Sequence, residues 1–217
     1  MTARKDPRVF PISMLTGLYL ILDESWTSRC SLIEVLCQAG EAGVRLVQYR
    51  NKTGSMKQAY MAAHPLRRVA AEWAMTFIVN DRCDLALAVE ADGVHLGQTD
   101  LPVLLARKVV GHSMVIGVST HNPEQVRMAA TDGADYLGFG PIFNTGTKSN
   151  ADPVVGIEGM CDVRKLTTLP IFAIGGITPE SVPALRAAGA TGVAVASAIL
   201  DAADRPQLFS QFMASLQ

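Results

Sequence analysis

Short apolar runs alternate with longer amphipathic stretches along this chain. Eight runs rich in apolar residues fall at 17–22, 44–49, 77–79, 93–96, 115–118, 136–139, 171–174 and 192–195. They read as short strands covered on both faces, the kind found in parallel sheets. Helix-like segments lie between them, at 31–39, 56–74, 83–90, 101–109, 123–131, 159–166, 179–188 and, last, near 206–216. Asn122-Pro123 and Thr178-Pro179 each set a capping side chain before a proline at the first helical position.

One short segment recurs. Ala42-Gly43-Val44, Ala91-Asp92-Gly93, Ala134-Asp135-Tyr136 and Ala190-Thr191-Gly192 each follow a helical stretch and open an apolar run. They stand about fifty residues apart, the length of two strand–helix units. Gly40, Gly133 and Gly189 stand where those helices are expected to stop on a left-handed residue. Eight strand–helix units predict a single-domain (β/α)8 TIM barrel over 17–217, preceded by a flexible leader at 1–16. An open doubly wound sheet shares the local pattern. The count of eight favours the barrel, as does the absence of G-x-G-x-x-G after the first run.

Composition narrows the function classes. A chain that is 49% hydrophobic is not intrinsically disordered. Lys and Arg number 19 against 20 Asp and Glu, so there is no basic excess for nucleic acid or a membrane surface, although a local basic pocket is still open. Cys30, Cys37, Cys83 and Cys161 show no C-x-x-C spacing and read as reduced thiols. Arg4, Lys5 and Arg8 before an apolar run mimic a signal peptide, but Pro11, Ser13, Thr16 and Gly17 interrupt the run. No stretch is long enough to span a bilayer. The expectation is a cytoplasmic protein.

In such a barrel the chemistry gathers after the strands' C-terminal ends. Gln48, Arg50 and Lys52 alternate with Tyr49 and Asn51, so an extended chain turns all three one way and offers two cations to an anion. A solvated charged loop is the plainer reading. Asp81 and Asp100 follow the third and fourth runs. They read either as magnesium ligands, which come as one or two carboxylates beside substrate phosphates, or as helix caps. The neighbouring Arg50 and Lys52 favour the metal. After the fifth run, Ser119 suits a phosphate oxygen. His121 reads as an acid/base or, preferentially, as a packed residue at a helix start. The loop from Gly140 to Lys148 brings Thr145, Thr147 and Lys148 on a flexible segment and reads as a lid. Gly175-Gly176 and Ala196-Ser197-Ala198 read as a backbone cradle for a simple phosphate. The mouth thus has two anionic demands, one strongly negative and metal-assisted. Two phosphorylated substrates being joined would explain both.

The ordered set Gln48-x-Arg50-x-Lys52, Asn80-Asp81, Gly97-Gln98-x-Asp100, Gly117-Val118-Ser119, Thr145-x-Thr147-Lys148 and Ile174-Gly175-Gly176-Ile177 resembles the thiamine-phosphate synthase family. The resemblance implies a TIM barrel that joins hydroxymethylpyrimidine diphosphate to thiazole phosphate with Mg²⁺. By that resemblance Gln48, Arg50, Lys52, Asn80 and Lys148 hold the pyrimidine diphosphate, and Asp81 and Asp100 bind Mg²⁺. Ser119 lies beside the pyrimidine and the diphosphate. Thr145, Thr147 and the backbone at Gly176, Ala196 and Ser197 hold the thiazole phosphate. Arg50, Lys52, Ser119 and Lys148 are the implied catalytic residues. Asn144 departs from the proline usual in the family. The partners implied are small-molecule substrates, with neither nucleic acid nor membrane. A related thiazole tautomerase is the nearest rival, but it has no use for the diphosphate clamp or the Asp pair. A non-catalytic phosphate-binding barrel, or a phosphosugar enzyme with the same loops, lies further off.

Overall fold

The alternating pattern closes into a ring. The computed structural model describes residues 14–145 and 153–217. Eight parallel strands pair in chain order, and the last returns to the first. They are β1 Gly17–Asp23, β2 Leu46–Arg50, β3 Thr76–Asn80, β4 Gly93–Leu96, β5 Val115–Thr120, β6 Tyr136–Phe139, β7 Ile171–Ile174 and β8 Gly192–Val195. Around them lie α1 Leu32–Glu41, α2 Met56–Glu72, α3 Cys83–Ala88, α4 Val103–Val110, α5 Pro123–Thr131, α6 Gly156–Arg164, α7 Val182–Ala187, α8 Ser197–Leu200 and α9 Arg205–Ser215. This is the (β/α)8 barrel that the eight runs predict. No described helix is long and apolar enough to cross a membrane.

Two apolar cores result from strand alternation. Outward positions such as Leu20, Val47, Phe77, Val94, Leu137 and Val193 meet the helices. Inward positions form a second cluster that includes Leu15, Tyr19, Leu46, Ile78, Val115, Tyr136 and Phe172. The interior is graded. Leu15, Leu46 and Val115 close the bottom, and Asp23, Arg50 and Asn80 end their strands at the mouth, with Ser119 one residue short of the end of β5. Leu15 lies within the segment read as leader, yet it is only 1% exposed. Residues 1–13 lie outside the described residues.

The recurring segment is explained at the bottom of the barrel. Asp92 accepts the Phe77 amide at 2.8 Å and pairs with Arg67 at 3.1 Å. Asp135 accepts the Ile116 amide at 2.7 Å and pairs with Arg107 at 2.5 Å. Thr191 does the same for the Ile171 amide at 3.1 Å. Each ties the start of one strand to its neighbour.

Several expected boundaries shift. Gly133 and Gly189 are left-handed, but Gly43 takes that role in α1 rather than Gly40, which is packed under Trp73. β2 starts late because the Val44 amide still bonds the Ala39 carbonyl at 2.9 Å. The segment 179–188 splits into a 3-10 turn, Pro179–Ser181, followed by α7. A continuous helix would need the missing N–H of Pro183 to reach the Pro179 carbonyl. The one-turn helix α8 is too short to show a period in the sequence.

Candidate active site

The functional side chains stand where strand ends and the first loop residues face the mouth. On β2 the alternation holds. Gln48 is buried inside the barrel at 3% exposure, and Arg50 lines the cleft. Tyr49 points outward and shares Glu24 with Asn51. Arg50 forms an ion pair with Asp23 at the end of β1. Asp23, itself 3% exposed, also accepts the Ser25 amide at 3.0 Å and the Ser25 hydroxyl at 2.6 Å. Sequence reasoning passed over Asp23; the signal was a carboxylate ending the first apolar run.

Past β3, Asp81 adopts φ 63°, a left-handed conformation uncommon outside glycine. Its amide bonds the His95 carbonyl at 2.8 Å, and its carboxylate pairs with Lys52 and faces Asp100. Burial and the Asp100 carboxyl push its pKa up, and Lys52 only partly offsets them. The cap alternative fails for both aspartates. Arg82 and Pro102 occupy the cap positions of α3 and α4, without a side-chain bond, and the Asp100 carboxylate accepts the Gly97 amide at 2.7 Å instead. Two carboxylates held together against their repulsion, with a lysine as the partial counter-charge, fit a divalent cation that takes its remaining ligands from water and phosphate. No cluster of three or more His, Cys, Asp or Glu suited to a metal occurs among the described residues. Beside them, Asn80 buries its Nδ2 without a partner among the described residues. A buried orphan donor is costly and marks a place for an acceptor.

Ser119 on β5 carries its hydroxyl 2.9 Å from His95 Nε2, and its carbonyl accepts Gln98 Nε2 at 2.6 Å. His121 starts the next loop, with Nδ1 2.5 Å from the Gly140 carbonyl, and also lines the cleft. Opposite the aspartates, Thr145, Gly175, Gly176, Ala196, Ser197 and Ala198 line the same cleft. Gly175 and Gly176 both have positive φ, and a Cβ at 176 would lie 2.5 Å from the Asn144 carbonyl. These two loops therefore pack too closely for any larger residue. The Ile142 and Phe143 amides bond the Ile174 and Gly175 carbonyls at 2.8 and 3.0 Å, which docks the base of the β6 loop on β7. Thr147 and Lys148 lie outside the described residues.

Gln48, Lys52, Asn80, Asp81 and Asp100 gather at β2–β4, while Arg50 and Ser119 share one cleft with the β6–β8 loops. Sequence reasoning also passed over Tyr19, His95 and Tyr136, which lie buried below. His95 was legible as the one ring nitrogen base in the recurring segment, at a position where the other copies carry Leu46, Gly138 and Ala194.

A closed barrel with a charged mouth on one side and a glycine-lined cradle on the other defines a (β/α)8 barrel enzyme. The family described as thiamine monophosphate synthase matches residues 18–199. The chain belongs to that family. It is 43% identical to a thiamine-phosphate synthase from Methanospirillum hungatei over 188 residues, covering 87% of this chain and 91% of the relative. A thiamine-phosphate synthase from Chloroflexus aurantiacus is 44% identical, covering 86% of each chain. Among solved structures, thiamine phosphate pyrophosphorylase from Pyrococcus furiosus superposes with a TM-score of 0.85 at 32% identity, covering 95% of this chain and 98% of the other. A 3-hexulose-6-phosphate synthase at 17% identity and TM-score 0.70 shares the fold.

Proposed function

We propose that this chain joins 4-amino-2-methyl-5-hydroxymethylpyrimidine diphosphate to thiazole phosphate, giving thiamine phosphate and diphosphate. The observation that carries the reading is the Asp81–Asp100 pair beside Lys52, across the mouth from the glycine cradle. One side suits a highly charged leaving group and the other a monophosphate ester.

Asp81 and Asp100 would hold Mg²⁺, which would supply charge neutralisation for the diphosphate. Lys52 and Arg50 stabilise the same oxygens as the methylene C–O bond breaks and its electron pair leaves with diphosphate. Lys148, on the β6 loop, adds a third cation. Asn80 gives its orphan amide to the pyrimidine diphosphate, and Gln48 and Ser119 hold the ring. Gly176, Ala196 and Ser197, with Thr145 and Thr147, fix the thiazole phosphate so that its ring nitrogen faces the methylene carbon. The nitrogen lone pair then forms the new C–N bond. No protein nucleophile and no net proton transfer are needed, so catalysis is charge stabilisation and positioning. The four cysteines are free, which suits the reducing cytoplasm proposed as its location.

The test is an assay with both substrates, following diphosphate release with and without Mg²⁺. Release that requires both substrates and the ion supports the reading. A protein that binds the phosphates but releases no diphosphate, or that only moves a proton on the thiazole, sinks it.

A further inference from the structure

Beneath the site lie three buried polar side chains that the reaction above does not use: Tyr19 on β1, His95 on β4 and Tyr136 on β6. They connect two residues that it does use. Gln48 Nε2 lies 2.7 Å from the Tyr19 hydroxyl, which lies 2.8 Å from the Tyr136 hydroxyl. Tyr136 lies 3.1 Å from His95 Nδ1, and His95 Nε2 lies 2.9 Å from the Ser119 hydroxyl. Five side chains thus form one line across the barrel interior.

The line has a direction. An amide nitrogen only donates, so Tyr19 accepts from Gln48 and has its single proton left for Tyr136. Tyr136 in turn gives its proton to His95 Nδ1. A ring nitrogen that accepts leaves the imidazole proton on the other nitrogen, Nε2, which donates to Ser119. Ser119, having accepted there, has its own proton to offer. Burial raises the pKa of both phenols, so each stays protonated and able to pass a hydrogen bond on. Gly117 makes room for the central link, since a Cβ there would lie 2.1 Å from Tyr136 Cζ and 2.5 Å from His95 Nδ1.

We infer that Gln48, Tyr19, Tyr136 and His95 form a one-way hydrogen-bond relay that holds His95 with its proton on Nε2 and sets the Ser119 hydroxyl as a donor toward an acceptor atom of the substrate. Tyr19, Tyr136 and His95 are positioning residues. No bond to carbon changes in the relay, and no proton is transferred; the protons are held in place. The tautomer stands on geometry alone, whereas the effect on substrate rests on the synthase reading.

Nitrogen NMR of the full chain, labelled with ¹⁵N-histidine and free of ligand, tests the relay, with His95→Gln identifying the His95 signals. The expected result is a His95 ring with its proton on Nε2 and Nδ1 accepting, shifting toward a tautomer mixture in Tyr136→Phe, which keeps the ring but loses the donor. In turnover assays Tyr136→Phe lowers kcat/KM for the pyrimidine diphosphate about tenfold, as expected for one lost hydrogen bond. It leaves the KM for thiazole phosphate unchanged. In a Ser119→Ala background the same change costs less than about twofold, because the relay then has nothing to orient. A His95 protonated on Nδ1 means that the line runs the other way and overturns the inference, as does an equal loss in both backgrounds. If the wild-type chain releases no diphosphate, the synthase reading fails and the NMR result still decides the relay.

Discussion

Asp81 concentrates the tension of this site in one residue. It is held at a positive φ, close to Asp100, with a raised pKa. A carboxyl whose folded pKa exceeds its unfolded one binds more protons when folded. Its stabilising share is therefore present at low pH and is lost as pH rises from the ordinary aspartate range through the raised value. Asp81→Asn removes the charge and most of the repulsion. The ligand-free variant should melt higher at neutral pH, by about 2–4 °C for each kcal/mol relieved, and its stability should vary less between pH 4 and 7. Diphosphate release should fall at least about a hundredfold, the scale of losing an electrostatic group at the reacting centre. Thermal melts across that pH range and a turnover assay check both; a variant that melts lower and turns over normally contradicts the role. Asp81 and Asp100 were legible as carboxylates after strands. Their pairing was expected from neighbouring strand ends, but the bond from the Asp81 amide to the His95 carbonyl was not, because no local pattern encodes a contact between strands. Asp23 was hidden for the same reason: its pairing with Arg50 is a contact between strands.

The most informative elements are the short repeats before β2, β4, β6 and β8. Their spacing was readable, and it gave the strand count and hence the barrel. Their purpose was not, since Asp92 and Asp135 serve amides on the preceding strands and arginines from α2 and α4. Asp135→Asn should therefore act on stability alone. It weakens a half-buried pair and a backbone bond, with an expected loss of about 1–3 kcal/mol in urea unfolding and unchanged kcat and KM. A fall in turnover without a shift in the unfolding midpoint would show that the staple does something else. Element ends were the poorest part of the sequence reading. Pro183 breaks 179–188 for a reason visible in the sequence, whereas α8 spans a single turn and has no period to detect.

At the scale of the molecule, strand alternation builds two cores, and the inner one is graded from apolar at the bottom to charged at the mouth. Leu15 plugs the lower end beside Leu46 and Val115. Leu15→Ala should cost about 2–5 kcal/mol of unfolding free energy, as for other fully buried leucines, and leave both substrates' KM values in place. Chemical denaturation and steady-state kinetics measure the two effects, and a neutral variant would mean that the plug is dispensable. The paired staples at one pole and the cation-and-carboxylate cluster at the other share no side chain. Selection, or an engineer, can thus rewrite the upper rim for a different pair of reactants without loosening the lower hoop that keeps the ring shut.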